Sequence, residues 1–307
     1  MFLSDTVVNH LREVASEPDL SGTRYELIKR IGQGGMGAVY LARDFELDRE
    51  VAIKVSIASS STELAERLKR EAKFIARLEH PGIVPVHDAG VLPDGRVFYV
   101  MKLVRGERLD LWAKGRELRE RLRMFRRVCE AVAFAHAHEV LHRDLKPENV
   151  MVGAFGEALV MDWGLARYSS ESSSAGLVMG TPAYMAPEQA RGEDVTSSAD
   201  VYGLGAILYA LLAGRAPGPM PEPLAREIPP PLISICSKAM AVSAGDRYAT
   251  ATEFGDEVGR FLEQEQVLAH PETLVEKVRR FVSRNSVVLS LVGAYVLLRL
   301  LLFLLPG

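Results

Sequence analysis

The sequence predicts an α+β chain of two lobes: a β-rich first third, a helical remainder and an apolar helix near the end. Three observations carry this reading. The segments YELIKRI, GAVYLARD and EVAIKVSI follow one another from Tyr25 onward, separated by Gly-rich or charged loops, and their alternation is that of half-buried strands. Beyond Gly106 apolar residues recur at helical spacing over 116–138, 199–213, 232–241 and 252–264. The composition then shifts sharply: Val287–Leu305 is broken only by small or weakly polar residues and by Arg299.

In chain order, residues 1–24 read as a leader in which Val7, Leu11 and Val14 share one helical face. Its first residues show no basic start followed by a long apolar stretch, so no secretory signal is read there. After the first strands, 62–79 reads as an amphipathic helix carrying Leu64, Leu68, Phe74, Ile75 and Leu78, and strands near 83–92 and 96–104 complete the first lobe. A β-rich lobe beside a helical one puts the natural ligand site in the cleft between them. The Ser-rich stretch 169–174 and the Pro-rich stretch 216–231 read as surface loops. Residues 265–285 form a basic segment holding Lys277, Arg279, Arg280 and Arg284. At about 1.5 Å per residue the following run reaches roughly 28 Å, close to a hydrocarbon core of about 30 Å. Residues 286–305 therefore read as a transmembrane helix, with the Arg299 stem reaching the interface. The basic segment keeps the preceding domain cytoplasmic under the positive-inside bias.

The bulk numbers exclude several classes. With 48% hydrophobic and 25% charged residues in 307, the chain is not of disordered composition. A net charge of -3 gives no footprint for nucleic acid. Cys129 and Cys236, the only two cysteines, lie outside any CxxC spacing. That argues against a disulfide scaffold or structural zinc and for a reducing compartment.

The chemistry sits in four motifs. IGQGGMGAVY holds Gly32, Gly34 and Gly37 in GxGxxG spacing; glycines let backbone N–H groups approach phosphates, although the pattern alone is weak. A dinucleotide-binding turn would lead into a helix, whereas AVYLA continues as a strand, so the loop reads as a β-hairpin lid over phosphates. VAIK places Lys54 on the next strand and Glu71 follows on the amphipathic helix; paired, they would hold an ammonium against nucleotide phosphates. HRDLKPEN at 142–149 and DWG at 162–164 decide the reading. Phosphoryl transfer needs a carboxylate to orient a hydroxyl and accept its proton, and cations to neutralise spreading charge. Asp144 supplies that carboxylate, Lys146 reaches the transferring phosphate, and Asn149 and Asp162 are hard oxygen ligands suited to Mg²⁺.

On these residues the chain resembles the eukaryotic-type (Hanks-type) Ser/Thr protein kinases over about 25–264, APE at 186–188 included. GQGGMGAVYLARD and GTPAYMAPEQA are most like bacterial, membrane-anchored members. The resemblance implies the two-lobed protein kinase fold, ATP and Mg²⁺ as cofactors, and protein substrates with Ser or Thr. It assigns Ile31, Gly32, Gln33, Gly34, Gly35, Met36, Gly37, Ala38 and Val39 to the ATP lid, with Val39 and Ala52 above adenine and Met151 below. Met101 becomes the gatekeeper, with the backbones of Lys102 and Val104 bonding the base. Asp200 braces the catalytic loop, and Glu188 pairs with Arg247.

There are departures. Trp163 replaces the usual Phe of DFG, Lys102 stands where an acidic residue is common, and the proline-rich segment from Arg215 to Leu232 leaves little room for the usual helix there. A membrane-bound pseudokinase scaffold is the alternative; it would usually lack Lys54, Asp144 or Asp162, and all three are present. A small-molecule kinase would lack GTPAYMAPE. Control is expected through Ser172, Ser173 or Ser174: a phosphoserine there would dock on Arg143 and order the loop. Phosphorylation in trans would make the partner a second copy, while Thr181 is read as structural, its hydroxyl bonding near Asp144 and Lys146.

Overall fold

The computed structural model describes residues 17–34, 37–56, 62–163, 167–168, 181–218 and 222–304. The alternating segments form antiparallel strands β1 (Tyr25–Gly34), β2 (Gly37–Asp44) and β3 (Arg49–Ser56). Gly34 and Gly37 are cross-strand partners, so the Gly-rich motif is the tip of a hairpin rather than a strand-to-helix turn. Packing demands the second glycine: a Cβ on Gly37 would lie 2.4 Å from the Val55 carbonyl oxygen. Helix α1 (Thr62–Ile75) stops short of the expected residue 79, because the Arg77 and Leu78 N–H groups bond back only three residues, to Phe74 and Ile75, in tighter turns. Strands β4 (Val86–Val91) and β5 (Val97–Lys102) complete a sheet of order β1-β2-β3-β5-β4.

Alternation along β5 divides its side chains between two cores. Phe98 and Val100 join Leu20, Tyr25, Tyr40 and Ile53 on one face, while Val97 and Tyr99 join Leu68, Phe74 and Leu78 on the other. Each fully buried aliphatic or aromatic side chain of this size contributes about 1.5–3 kcal/mol. The second core runs on into the other lobe through Leu109, Phe125, Val128 and Leu204, which ties the two lobes across the cleft.

That lobe is more than helices. Beyond Gly106 lie β6 (Gly106–Arg108), α2 (Leu109–Trp112), α3 (Leu118–Ala137), β7 (Val140–Leu141), β8 (Val150–Gly153), β9 (Ala158–Val160) and β10 (Arg167–Tyr168). The strands pair as β6-β8-β9 and β10-β7; runs this short show no periodicity, and the sequence reading missed them. Helices α4 (Pro187–Ala190), α5 (Ser197–Ala213), α6 (Pro230–Ala239) and α7 (Ala251–Leu262) follow. Helix α5 is buried on almost every side, as an all-round apolar helix must be. The Thr196 hydroxyl caps its first turn and Gly214, at φ 70°, ends it.

Two helices close the described chain, α8 (Leu274–Arg284) and α9 (Ser286–Leu304), the latter of 19 residues. Among the residues whose side chains are described, no helix is long and apolar enough to cross a membrane; within α9 that set covers only 289–300.

Candidate active site

The loop between β7 and β8 carries the HRDLKPEN motif, and its shape is fixed from below by α5. Asp200, in the first turn of that helix and almost fully buried, accepts from three donors at 2.8 Å each: the backbone N–H groups of His142 and Arg143, and His136 Nε2. Burial alone would raise the Asp200 carboxyl; the donors and the imidazole beside it outweigh that and hold it below its ordinary value. Arg143 sits at φ 69°, a left-handed conformation that costs a non-glycine residue about 1–3 kcal/mol. It persists because both backbone polar groups are tied: N–H to Asp200, and the carbonyl to Gln189 Nε2 at 2.7 Å.

Those ties aim Asp144. Its Oδ1 accepts from the Thr181 N–H and hydroxyl, each at 3.0 Å. Its Oδ2 accepts from Lys146 Nζ at 2.8 Å and Asn149 Nδ2 at 3.1 Å. Lys146 also reaches the Thr181 hydroxyl at 2.7 Å, so the carboxylate, ammonium and hydroxyl form one closed cluster. Asn149 spends its amide N–H groups on Asp144, side chain and backbone, leaving its amide oxygen for another ligand. His142 is fully buried; its Nε2 donates to the Met161 carbonyl at 3.0 Å and its Nδ1 accepts from the Asp144 N–H at 3.2 Å. One imidazole thus ties the loop to the strand end that bears Asp162.

Asp162 is the second strained residue, at φ 61°. Lys54 Nζ lies 2.7 Å from its Oδ1. Burial pushes the Asp162 carboxyl up, but the Lys54 ammonium holds it below its ordinary value, with Lys146 adding to the effect. It is therefore anionic at neutral pH, and its side chain is open to solvent, 46% exposed. The Trp163 ring is buried, 4.6 Å from the His142 ring, with its Nε1 donating to the Val160 carbonyl. The bulk that departs from DFG is absorbed by packing on the loop.

The part-buried cluster of Asp144, Asn149 and Lys146 thus stands beside the lysine-paired Asp162. The sequence profile of the protein kinase domain matches residues 25–262. This chain belongs to the protein kinase family. Serine/threonine-protein kinase PknD of Chlamydia trachomatis serovar D is 35% identical over 311 aligned positions, which cover 83% of this chain and 33% of that protein. The proteins of the same name from Protochlamydia amoebophila and Chlamydia muridarum are 34% and 36% identical, over 78% and 75% of this chain. The chain spans about a third of the length of these curated relatives.

Within this kinase fold the other expected residues fall as follows. Val39 pairs with Lys54, and Ala52 with Met101. Partners across a ladder and residues two apart on a strand share a face, so all four line one side of the sheet. Lys102 ends β5, Val104 follows it, and Met151 lies half-buried on β8. Ile31, Gly32 and Gln33 are on β1 and Ala38 on β2. Gly35, Met36 and Ser172–Ser174 lie outside the described residues, as does the side chain of Glu71, expected to pair with Lys54. Glu188 and Arg247 meet in a buried bidentate pair at 2.6 and 2.8 Å; Arg247 also donates to the carbonyls of Ser198, Ala241 and Val242. The roles of Gln189 and His136 were invisible in the sequence, since neither is close in sequence to the residue it holds.

The donor set fits a nucleotide-borne Mg²⁺. Asn149 and Asp162 offer two oxygens, and among the described residues no group of three His, Cys, Asp or Glu forms a cage. Mg²⁺ commonly takes one or two protein ligands and completes its shell with phosphates and water.

Proposed function

We propose that this chain transfers the γ-phosphate of ATP to Ser and Thr hydroxyls of other proteins. The observation that carries the reading is the Asp144 carboxylate, fixed on four sides by Thr181, Lys146 and Asn149 and sharing a cleft with the Lys54–Asp162 pair. The name of its relatives, serine/threonine-protein kinase, agrees. When bound, ATP would bring the phosphoryl group, and Mg²⁺, which Asn149 and Asp162 would hold, would neutralise its charge. Asp144 orients the entering hydroxyl and takes its proton, and Lys146 adds a cation where charge spreads. Lys54 steadies the phosphates, and the residues of the Gly-tipped hairpin with Ala52, Met101, Lys102, Val104 and Met151 seat the nucleotide. Purified protein given Mg-ATP and a generic protein substrate should place phosphate on Ser and Thr, and Lys54→Met should lose that activity by orders of magnitude while staying folded. A Lys54→Met protein with parent turnover would remove the assignment.

The reading has two further parts. The first is anchoring: the 286–305 run spans a bilayer, with the kinase domain on the side of the basic segment, in the cytoplasm. Supporting it are the apolar sequence, broken only by small or weakly polar residues and Arg299, and the exposure of Leu291, Leu297 and Leu300. Alkaline carbonate should leave the full chain in the membrane pellet. The second is control: two copies confined to one membrane phosphorylate each other's loop at Ser172–Ser174, and the product docks on Arg143.

A further inference from the structure

Helix α8 is amphipathic in the wrong sense for a soluble protein. Its five large apolar residues, Leu274, Val275, Val278, Phe281 and Val282, are 81, 77, 63, 61 and 47% exposed. At 3.6 residues per turn they occupy one arc of roughly 120°. The opposite, polar face is turned to the protein. Arg280 makes a bidentate pair with Glu272 at 2.8 and 2.9 Å, and Glu276 contacts His270, which bonds Ser234 of α6 at 3.0 Å. Arg284 lies 3.6 Å from Glu265. The preceding turn is fixed as well, with the Leu268 and Ala269 N–H groups bonded to the buried Glu257 carboxylate at 3.0 and 2.8 Å. A capping box between Thr273 and Glu276 sets the helix start. The helix is thus tied by its polar side to the 265–272 segment, which is itself bonded to the lobe through Glu257 and Ser234, and its apolar side is exposed.

We propose that α8 lies in the interface of an anionic phospholipid bilayer and fixes the orientation of the kinase domain on the membrane. This deepens the anchoring reading and rests on it. Two features on the page choose lipid as the occupant. Lys277 stands at one flank of the apolar arc and position 279, an Arg in the sequence, at the other; cations at these two helical positions suit lipid headgroups as the stripe enters the acyl boundary. Across a pairing of two copies the same cations would repel. The stripe is also continuous with α9 through the single residue Asn285, whose φ of -106° and ψ of 18° break helical geometry. That break allows a surface-lying helix to turn into a spanning one. A coiled-coil seam is narrower than this arc.

The test uses the full chain reconstituted into phosphatidylcholine vesicles with and without phosphatidylglycerol. An environment-sensitive fluorophore is placed in turn through Val278→Cys, Val282→Cys, Val292→Cys in α9 and Glu263→Cys on the globular surface; the native cysteines are buried. The account expects blue-shifted emission at 278 and 282, quenched by lipids with a nitroxide near the headgroup, more strongly in anionic vesicles. Position 292 should respond to deep nitroxides and position 263 to neither. Water-like emission at 278 and 282 with a lipid-buried 292 overturns the surface role of α8 and leaves the anchor standing. A blue shift without lipid quenching, accompanied by energy transfer between labelled copies, overturns it in favour of a second copy. Water-like emission at 292 as well removes the anchor and the proposal together.

Discussion

Asp200→Asn is the sharpest probe of how the fold positions the reacting carboxylate. Each Asp200 oxygen accepts a backbone N–H, from Arg143 on one side and His142 on the other. An amide keeps one acceptor and turns an N–H₂ toward the other donor. One hydrogen bond to a charged group, about 1.5–3 kcal/mol, is lost, and one buried N–H is left unpaired at about 1–3 kcal/mol. These overlap, so the net loss is about 2–4 kcal/mol against a typical stability of about 5–15 kcal/mol. That corresponds to a fall in Tm of roughly 5–15 °C for a domain of this size. The loop also loses its restraint on Arg143 at φ 69°, whose strain of about 1–3 kcal/mol is then free to relax. Relaxation moves Asp144 off its aim and lowers kcat roughly 10–100-fold. Differential scanning calorimetry gives the first quantity, and Mg-ATP turnover well below the variant's Tm gives the second. An Asn variant with parent Tm and parent kcat would show that α5 does not position the loop.

Four further outcomes can be measured. Arg247→Ala leaves Glu188 buried and unpaired, and should cost about 3–5 kcal/mol at pH 7 by thermal unfolding. Burial raises the Glu188 carboxyl, but Arg247 holds it below its ordinary 4.5. Its contribution is therefore complete above that pH and is lost only as pH falls through the lower folded value, so parent and Glu188→Gln should converge in Tm under strong acid and differ at pH 7. Trp163→Phe should cost about 1–2 kcal/mol of stability through the space left against His142, with turnover within a few-fold of the parent; unchanged stability with lost turnover would contradict a packing role. Replacing Ser169, Ser170, Ser172, Ser173 and Ser174 by Ala should lower activity toward an external substrate, and full activity would exclude control through that loop.

What could be read in advance depended on how local each signal was. The helix at Leu118 was legible because helical periodicity persists over its 20 residues, and the strand around Lys54 and the helix at Ser197 because they are apolar runs of 8 and 17 residues, strand-length and helix-length respectively. The strands β6 to β10 span only 2 to 4 residues and owe their pairing to the chain around them, so no window of sequence announces them. Asp144, Lys146, Asn149 and Asp162 were legible because each is fixed by the chemistry of one motif. The restraints on them were not: Gln189 meets the Arg143 carbonyl and His136 meets Asp200 only after α3, α4 and α5 have packed. The outward apolar face of α8 lay in the same category, since spacing alone shows a stripe and says nothing about which side the lobe takes.

The central claim is that Asp144 handles the proton of the acceptor hydroxyl in a site otherwise built for nucleotide. Asp144→Asn is nearly isosteric and can keep hydrogen bonds to Thr181, but it cannot accept the proton. The decisive measurement pairs isothermal calorimetry of Mg-nucleotide binding with single-turnover phosphate transfer to a Ser/Thr substrate, on the parent and on Asp144→Asn. The account predicts nucleotide affinity within a few-fold of the parent and transfer slower by at least about 10²-fold, the low end of general acid–base contributions. Transfer at the parent rate with nucleotide bound would contradict it.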